Sequence, residues 1–310
     1  MKKIFIDGKA GTTGLRIYER LEKREDLEII LLSEEERKSP EARKRALNAA
    51  DIAFLCLPDD AAREAVSMID NENTVVIDTS TAHRTDPSWC YGFPELSDEF
   101  ETKLRSAKRI AVPGCHASGF ISLVYPLIES GLVKKETLFI CHSLTGYSGG
   151  GKKMIAEYES EDRAVELDAP RQYGITQMHK HLKEMKAITG INEAPCFSPI
   201  VADFYSGMLV TVPLFKSQLC DGFGIEDIKA LYAKKYNTEI VKYQESFDNG
   251  GFMAANAVAG KDCMLVTVAG NEERIQLSAL YDNLGKGASG AAIQCMNMVL
   301  GVDKTTGLDL

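Results

Sequence analysis

Short apolar runs alternate with helix-spaced segments through the first third of the chain. Ile4-Phe5-Ile6 is followed by a glycine-rich turn, Gly8 to Gly14, and then by Leu15 to Leu21, whose apolar positions recur at helical spacing. The runs Leu27–Leu32, Ile52–Leu57, Val75–Ile77 and Arg109–Val112 read as further strands, with a helix from about Ala61 to Ile69 between two of them. This alternation predicts βαβ units and a doubly wound parallel sheet. Beyond it the grammar changes. Ile121–Ile128 continues as a helix, whereas Thr137–Ser143, Gly207–Leu214, Ile240–Tyr243 and Cys263–Ala269 read as strands with few helices between them, Ile225–Tyr236 being the clearest. The expected fold class is therefore α/β: a doubly wound sheet over 1–115, a second, mostly antiparallel α+β domain over 116–282, and a C-terminal helix within about 283–310 that returns to the first domain.

Composition narrows the function. At 310 residues, length alone predicts roughly two domains. With 45% apolar and 26% charged residues, neither disorder nor a membrane span is required, and no apolar run approaches the ~20 residues of a membrane helix. No signal peptide pattern opens the chain, so a cytoplasmic protein is expected. A formal net charge of -9 without a basic tract speaks against nucleic acid as a partner. Eight cysteines with no CxxC pair read as reduced thiols and support neither a disulfide framework nor a zinc site, so no metal is expected.

The chemistry gathers in a few stretches. In Val112-Pro113-Gly114-Cys115-His116-Ala117-Ser118-Gly119-Phe120, Cys115 falls at or just before a predicted helix N-terminus, where free N–H groups and the positive end of the dipole favour a thiolate. The alternative is a small core residue, as Cys56, Cys141 and Cys295 read in their apolar runs. Gly8, Gly11 and Gly14, with Thr12 and Thr13, form a GxxGxxG turn between a strand and a helix, the context in which a pyrophosphate meets a helix N-terminus. Ala10 stands where GxGxxG has its second glycine. Ser33, Arg37 and Lys38 after the second strand lean toward a 2′-phosphate, against three intervening glutamates. Asp78 to Arg84 closes a strand at its C-terminal end, where ligands bind in such sheets. Thr145 to Lys153 nearly matches a P-loop, but Lys153 stands where the magnesium-binding hydroxyl must be, which rejects nucleotide hydrolysis. His179 and His181 would point apart on a helix and share a face on a strand. Either could serve Cys115 in proton transfer, as could His116.

Taken together, DGKAGTTG (7–14), DTSTAHR (78–84), VPGCHASGF (112–120), TGYSGGGKK (145–153), HKH (179–181) and DNLGKGASGAAIQCMN (282–297) resemble the N-acetyl-γ-glutamyl-phosphate reductase family in its short form. The resemblance runs from the first strand to the last helix. Aspartate-semialdehyde and glyceraldehyde-phosphate dehydrogenases share the plan of a Rossmann domain plus a cysteine domain, but the GYSGGGKK and HKH blocks look less like theirs.

The resemblance implies NADPH-dependent reduction of N-acetyl-L-glutamyl 5-phosphate to the semialdehyde and phosphate, the third step from glutamate toward arginine. Cys115 would attack the acyl phosphate to form a thioester, and His179 or His181 would move the protons. Gly8, Gly11, Thr12, Thr13 and Gly14 would hold the NADP(H) pyrophosphate, with Ser33, Arg37 and Lys38 near the 2′-phosphate and Ser80, Asn283 and Gly287 toward the nicotinamide. Arg84, Ser148 and Lys152 are implied as partners of the substrate's anions. The family's habit is a homodimer or homotetramer. Many longer members carry Tyr-Pro-Thr after the cysteine where this chain has His116-Ala117-Ser118. A related reductase acting on an aminoadipyl or aspartyl substrate would use the same chemistry. A cofactor-free cysteine hydrolase or a non-catalytic NADP-binding regulator are the readings from other classes.

Overall fold

A computed structural model describes all 310 residues, which fall into two units. Unit 1 comprises Met1–Pro113 and Ala288–Leu308, and unit 2 comprises Gly114–Gly287 with Asp309–Leu310.

Unit 1 runs β1 (Lys2–Asp7), α1 (Thr12–Leu21), β2 (Leu27–Ile30), α2 (Pro40–Ala49), β3 (Ile52–Leu55), α3 (Asp59–Ser67), β4 (Val75–Asp78), β5 (Cys90–Tyr91), α4 (Asp98–Ser106) and β6 (Arg109–Ala111). Its six strands are all parallel, in the order β2-β1-β3-β4-β6-β5. Alternation on buried strands sorts the side chains into two layers. Ile4, Ile6, Ile52, Phe54, Val75 and Ile77 face one core, while Phe5, Ala53, Leu55 and Val76 face the other. Both faces are apolar because helices cover both, as a parallel sheet requires. The last helix, α9 (Gly290–Leu300), closes the first of these layers with Ala291, Ala292, Ile293 and Cys295. It therefore returns to unit 1.

Local signals set the helix ends. Ser39 and Ser97 cap α2 and α4 by accepting from Ala42 N–H and Phe100 N–H, and α4 begins with Asp98 and Glu99 and ends with Lys103 and Arg105, matching its dipole. α1 differs: no side chain caps it and its first turn holds no acid.

Unit 2 carries α5 (Cys115–Glu129), β7 (Ile140–Gly146), α6 (Gly151–Tyr158), β8 (Arg171–Gln172), α7 (His181–Thr189), β9 (Cys196–Ala202), β10 (Met208–Phe215), α8 (Ile225–Lys235), β11 (Val241–Tyr243), β12 (Met264–Gly270) and β13 (Arg274–Tyr281). Its seven-stranded sheet has the order β11-β12-β13-β10-β7-β9-β8 and is mixed: β11 with β12 and β7 with β9 pair in parallel. The mostly antiparallel expectation thus holds for the other four pairings. β9 and β13 went unseen in the sequence, the former because Pro199 breaks its apolar pattern and the latter because polar Arg274, Gln276 and Ser278 interleave it. The lysines of the glycine-rich stretch, read as a loop, lie on α6.

On β10, Met208, Val210, Val212 and Leu214 turn inward, and α5 packs on β10 and β13. α5 is apolar nearly all round, so it is a central helix. Pro126 inside it cannot donate to the Ser122 carbonyl; the Tyr236 hydroxyl from the end of α8 donates to that carbonyl instead, at 2.6 Å. The opposite sheet face leaves Phe215 60% and Ile140 45% exposed.

At Gly8, φ is +86° and an added Cβ would lie 2.2 Å from the Cys56 carbonyl oxygen. Gly8→Ala is expected to lower unfolding stability by about 3 kcal/mol or more, read from urea denaturation.

Candidate active site

Cys115 is the first residue of α5, and Gly114 is its N-cap, in extended conformation. The sequence alone left the choice between nucleophile and core filler open, and three other cysteines show what core placement does. Burial pushes the Cys56 thiol up to about 12 and that of Cys90 to about 11, and it raises Cys141 as well. Cys115 differs from them in its place, as the first residue of a helix whose N-cap has no capping side chain and whose first turn holds no acid. None of the eight cysteines is in a disulfide.

Three neighbours hold that helix start. Gly114 N–H donates to Glu184 Oε1 at 2.8 Å, both groups being buried. The Tyr281 hydroxyl donates to the Cys115 carbonyl at 2.5 Å and accepts from Gly119 N–H at 3.0 Å, so it lies across the two ends of one helical i, i+4 pair. Gly119 must be glycine, since a Cβ there would lie 2.7 Å from that hydroxyl and 2.5 Å from Val210. Gly287 comes against Cys115 from the other side: its Cβ would lie 3.1 Å from that of Cys115.

Beside this helix start the three histidines gather. His179 lies in the loop before α7 and His181 opens α7, so the helix-or-strand alternative resolves into neither. The rings of both sit 5.6 Å from that of His116, and 4.8 Å from each other. Phe197 of β9 packs against His116 and His179 at 5.4 and 5.2 Å. His116 is 3% exposed and both ring nitrogens are engaged, Nδ1 with Ser143 Oγ and Nε2 with Tyr173 OH, each at 2.6 Å. Burial, with the neighbouring His179 and Lys180, pushes its pKa down to about 3, so His116 is a neutral structural bridge rather than a local proton donor. His179 is half-buried and pushed down to about 4, by burial first and Lys180 second. Its Nδ1 accepts the His181 backbone N–H at 3.2 Å, which leaves the proton of the neutral ring on Nε2. His181 is 4% exposed. Burial and the nearby Cys115 raise the Tyr173 phenol.

Sequence reasoning overlooked Tyr173, Ser143, Glu184 and Tyr281. Two had a readable signal: Glu184 lies one helical turn beyond His181, and Tyr173 precedes the HKH motif in the same segment. Ser143 and Tyr281 are brought in by strand register, β10 pairing with both β7 and β13.

The other expected residues are placed as follows. In unit 1 the β1–α1 turn borders a cavity of about 320 Å³ lined by Gly8, Lys9, Ala10, Tyr18, Leu32 and Arg37 among others. Gly11 is the N-cap of α1, Thr12 and Thr13 form its first turn, and a Cβ on Gly14 would lie 2.5 Å from the Gly8 carbonyl oxygen. Arg43 neutralises Asp7 through two hydrogen bonds of 3.0 and 2.9 Å, removing an anion from the end of β1. Arg37 pairs with Glu34, and its Nε is buried without a partner. An uncapped helix start, a glycine cradle that a Cβ would fill and an orphaned guanidinium N–H fit a dinucleotide with an extra phosphate. Ser33 is engaged with Glu36 in both directions, and exposed Lys38 is not in the cavity lining.

Ser80 donates its N–H and its hydroxyl to the Asp78 carboxylate, which also meets His83 Nδ1 at 2.6 Å. Arg84 is 8% exposed and donates to the carbonyls of Val112 and Thr79, both at 2.8 Å, tying the ends of β6 and β4. In unit 2, Asn283 accepts from Gly207 N–H and donates to Ser148 Oγ, so these two buried residues engage each other. Lys152 is exposed on α6.

Two family models match the chain. The NAD binding domain of semialdehyde dehydrogenases covers residues 3–103, and their dimerisation domain covers 115–283. Proteins named N-acetyl-gamma-glutamyl-phosphate reductase are similar over nearly the full length: that of Sinorhizobium medicae is 45% identical, over 96% of this chain and 98% of its own. In Brucella ovis the figure is 44%, over 96% and 99%. A protein of Nostoc sp. named N-acetyl-gamma-glutamyl-phosphate reductase 2 is 42% identical over 99% of both. Among solved structures, aspartate semialdehyde dehydrogenase II from Vibrio cholerae superposes with a TM-score of 0.72 at 17% identity, over 97% of this chain and 99% of that one. A probable aspartate-semialdehyde dehydrogenase from Pseudomonas aeruginosa gives 0.73 at 15%, over 96% and 98%. These two likenesses bear on the fold alone.

His116 and His179 stay neutral in the fold well below the pH at which a free histidine protonates. Between pH 6.5 and about 4 the unfolded chain therefore binds the extra protons, and stability must fall as pH falls. The expected slope is at most about 1.4 kcal/mol per pH unit for each histidine. Urea denaturation between pH 4 and 7 checks this, and His116→Gln should flatten the curve.

Proposed function

This chain belongs to the semialdehyde dehydrogenase family and, within it, to the N-acetyl-γ-glutamyl-phosphate reductases, and on that premise we propose how it works. It reduces N-acetyl-L-glutamyl 5-phosphate to N-acetyl-L-glutamate 5-semialdehyde and phosphate with NADPH, on the route from glutamate to arginine. The observation that carries the mechanism is Cys115 at the start of α5, with three histidines gathered beside that start.

Cys115 attacks the acyl carbon as thiolate; the carbon–oxygen bond to phosphate breaks, phosphate leaves, and a thioester forms. The α5 dipole favours the thiolate, and the first-turn N–H groups are the donors for the oxyanion that develops as it attacks. NADPH, when bound, supplies the hydride that turns the thioester into a thiohemiacetal. Collapse of that species breaks the C–S bond and returns the Cys115 sulfur.

We assign the direct histidine role to His179. It keeps part of its surface open, and its neutral ring presents Nε2–H as a donor to the acyl oxygen. His181, buried, fixes that tautomer through its backbone N–H. Gly8, Gly11, Thr12, Thr13 and Gly14 would hold the pyrophosphate, and Lys9 and Arg37 the 2′-phosphate region. Lys9 rests 3.0 Å from the centroid of the Tyr18 ring in the same cavity, within reach of a bound anion. Arg84, Ser148 and Lys152 remain the substrate-anion candidates; bonds already made by Arg84 and Ser148 favour positioning for those two.

The open sheet face bearing Ile140 and Phe215, together with the dimerisation domain of the family, supports a homodimer or homotetramer. No helix is long and apolar enough to cross a membrane. Eight cysteines with no disulfide among them favour the cytoplasm.

The reverse reaction tests the proposal: NADPH appearance from N-acetylglutamate semialdehyde, NADP and phosphate. Wild type should show a phosphate-dependent rate, and Cys115→Ser should lower it by on the order of 10⁴-fold or more. His179→Ala should lower it about 10²–10⁴-fold. Activity with aspartate semialdehyde or the aminoadipate homologue alone would keep the chemistry and replace the substrate.

A further inference from the structure

Gln177 is the only residue other than glycine with a positive φ, at +56°. An L residue pays for left-handed backbone, and such outliers persist only where their surroundings impose them. Here the imposing contact is visible. Gln177 Nε2 donates to the Phe197 carbonyl at 2.7 Å, and Phe197 N–H donates to Gln177 Oε1 at 2.8 Å.

This double bond fills a gap in the sheet. β9 pairs with β7 along its whole length, but on its other side β8 reaches only Ile200 and Val201. At Phe197 that edge has no strand partner, and the Gln177 amide supplies one donor and one acceptor as a neighbouring strand would. The turn that brings it there is closed by Gln177 N–H donating to the Gly174 carbonyl, and Tyr173 N–H donates to the Pro199 carbonyl just before it, both at 3.0 Å. Asparagine tolerates this backbone better but is one methylene shorter. Glycine would adopt it freely and make neither bond.

What the clamp holds is the floor of the histidine cluster. The Phe197 ring packs against both His116 and His179, and His179 follows Gln177 by two residues. We infer that Gln177 is a positioning residue for His179, its strained turn and its amide clamp on Phe197 together fixing the His179 ring against Phe197 and His116. The inference rests on the role proposed for His179 only where it concerns rate.

The experiment compares Gln177→Gly and Gln177→Asn with wild type in the full chain. His179 is titrated by NMR, its ring signal being assigned by its loss in His179→Ala, and kcat, KM and Tm are measured alongside. The charged and titratable groups around that ring are His116, His181, Tyr173 and Lys180. Gln177→Gly should leave Tm within a few degrees, because relief of strain offsets the lost bonds, while the His179 titration moves up toward that of a free histidine. In the same variant kcat should fall on the order of tenfold with KM within about twofold. Gln177→Asn should fall between glycine and wild type on both readouts. An unmoved His179 titration in Gln177→Gly overturns the inference whatever the rates. A moved titration with unchanged kcat upholds the clamp and removes His179 from the reaction.

Discussion

A buried helix start is costly, because its first N–H groups have no partners within the helix and no water to replace them. In unit 2 that cost falls at the start of α5, and the surroundings answer it selectively. Glu184 takes the Gly114 N–H, and Tyr281 ties the Cys115 carbonyl to Gly119. Gly114, the N-cap, has no side chain with which to cap the first turn. The proposed chemistry draws on the same helix start, whose dipole favours a thiolate, so a feature that burdens the fold is the one on which the proposal rests.

Around that helix start the protein desolvates its bases. Burial is the first cause of the downward shift at both His116 and His179, with Lys180 adding to each. His116, held from both sides by Ser143 and Tyr173, acts as a rigid strut. His179 is left with one free nitrogen. Hydrogen bonding thus distinguishes His116 from His179, since a ring with both nitrogens engaged has none to offer a substrate.

Unit 1 handles charge differently. The anion site proposed at its β1–α1 turn rests on the absence of a capping side chain at α1 and on Arg43 cancelling Asp7, while the net charge of the chain stays negative. A local arrangement of a few groups outweighs the overall balance because screening confines each charge to its neighbourhood.

Much of this was legible beforehand. The parallel sheet followed from apolar runs spaced by helical segments, because strands buried on both faces must be apolar throughout. Cys115 at a helix start followed from Pro113-Gly114 ahead of an apolar run. β9 and β13 did not, since a prolyl break and interleaved polar residues hide the period on which strand assignment depends. The histidine pair could be found but not sorted, because the sequence set His179 and His181 two residues apart without saying that α7 begins between them. Sequence by itself thus determined the architecture, the placing of Cys115 at a helix start and the small set of histidines, all of which rest on local pattern. Tertiary structure alone decided that His116 is occupied, that Tyr281 and Glu184 grip the helix start and that Gln177 clamps Phe197. Each of those joins residues far apart in the chain, and strand register and burial bring them together where no local periodicity can.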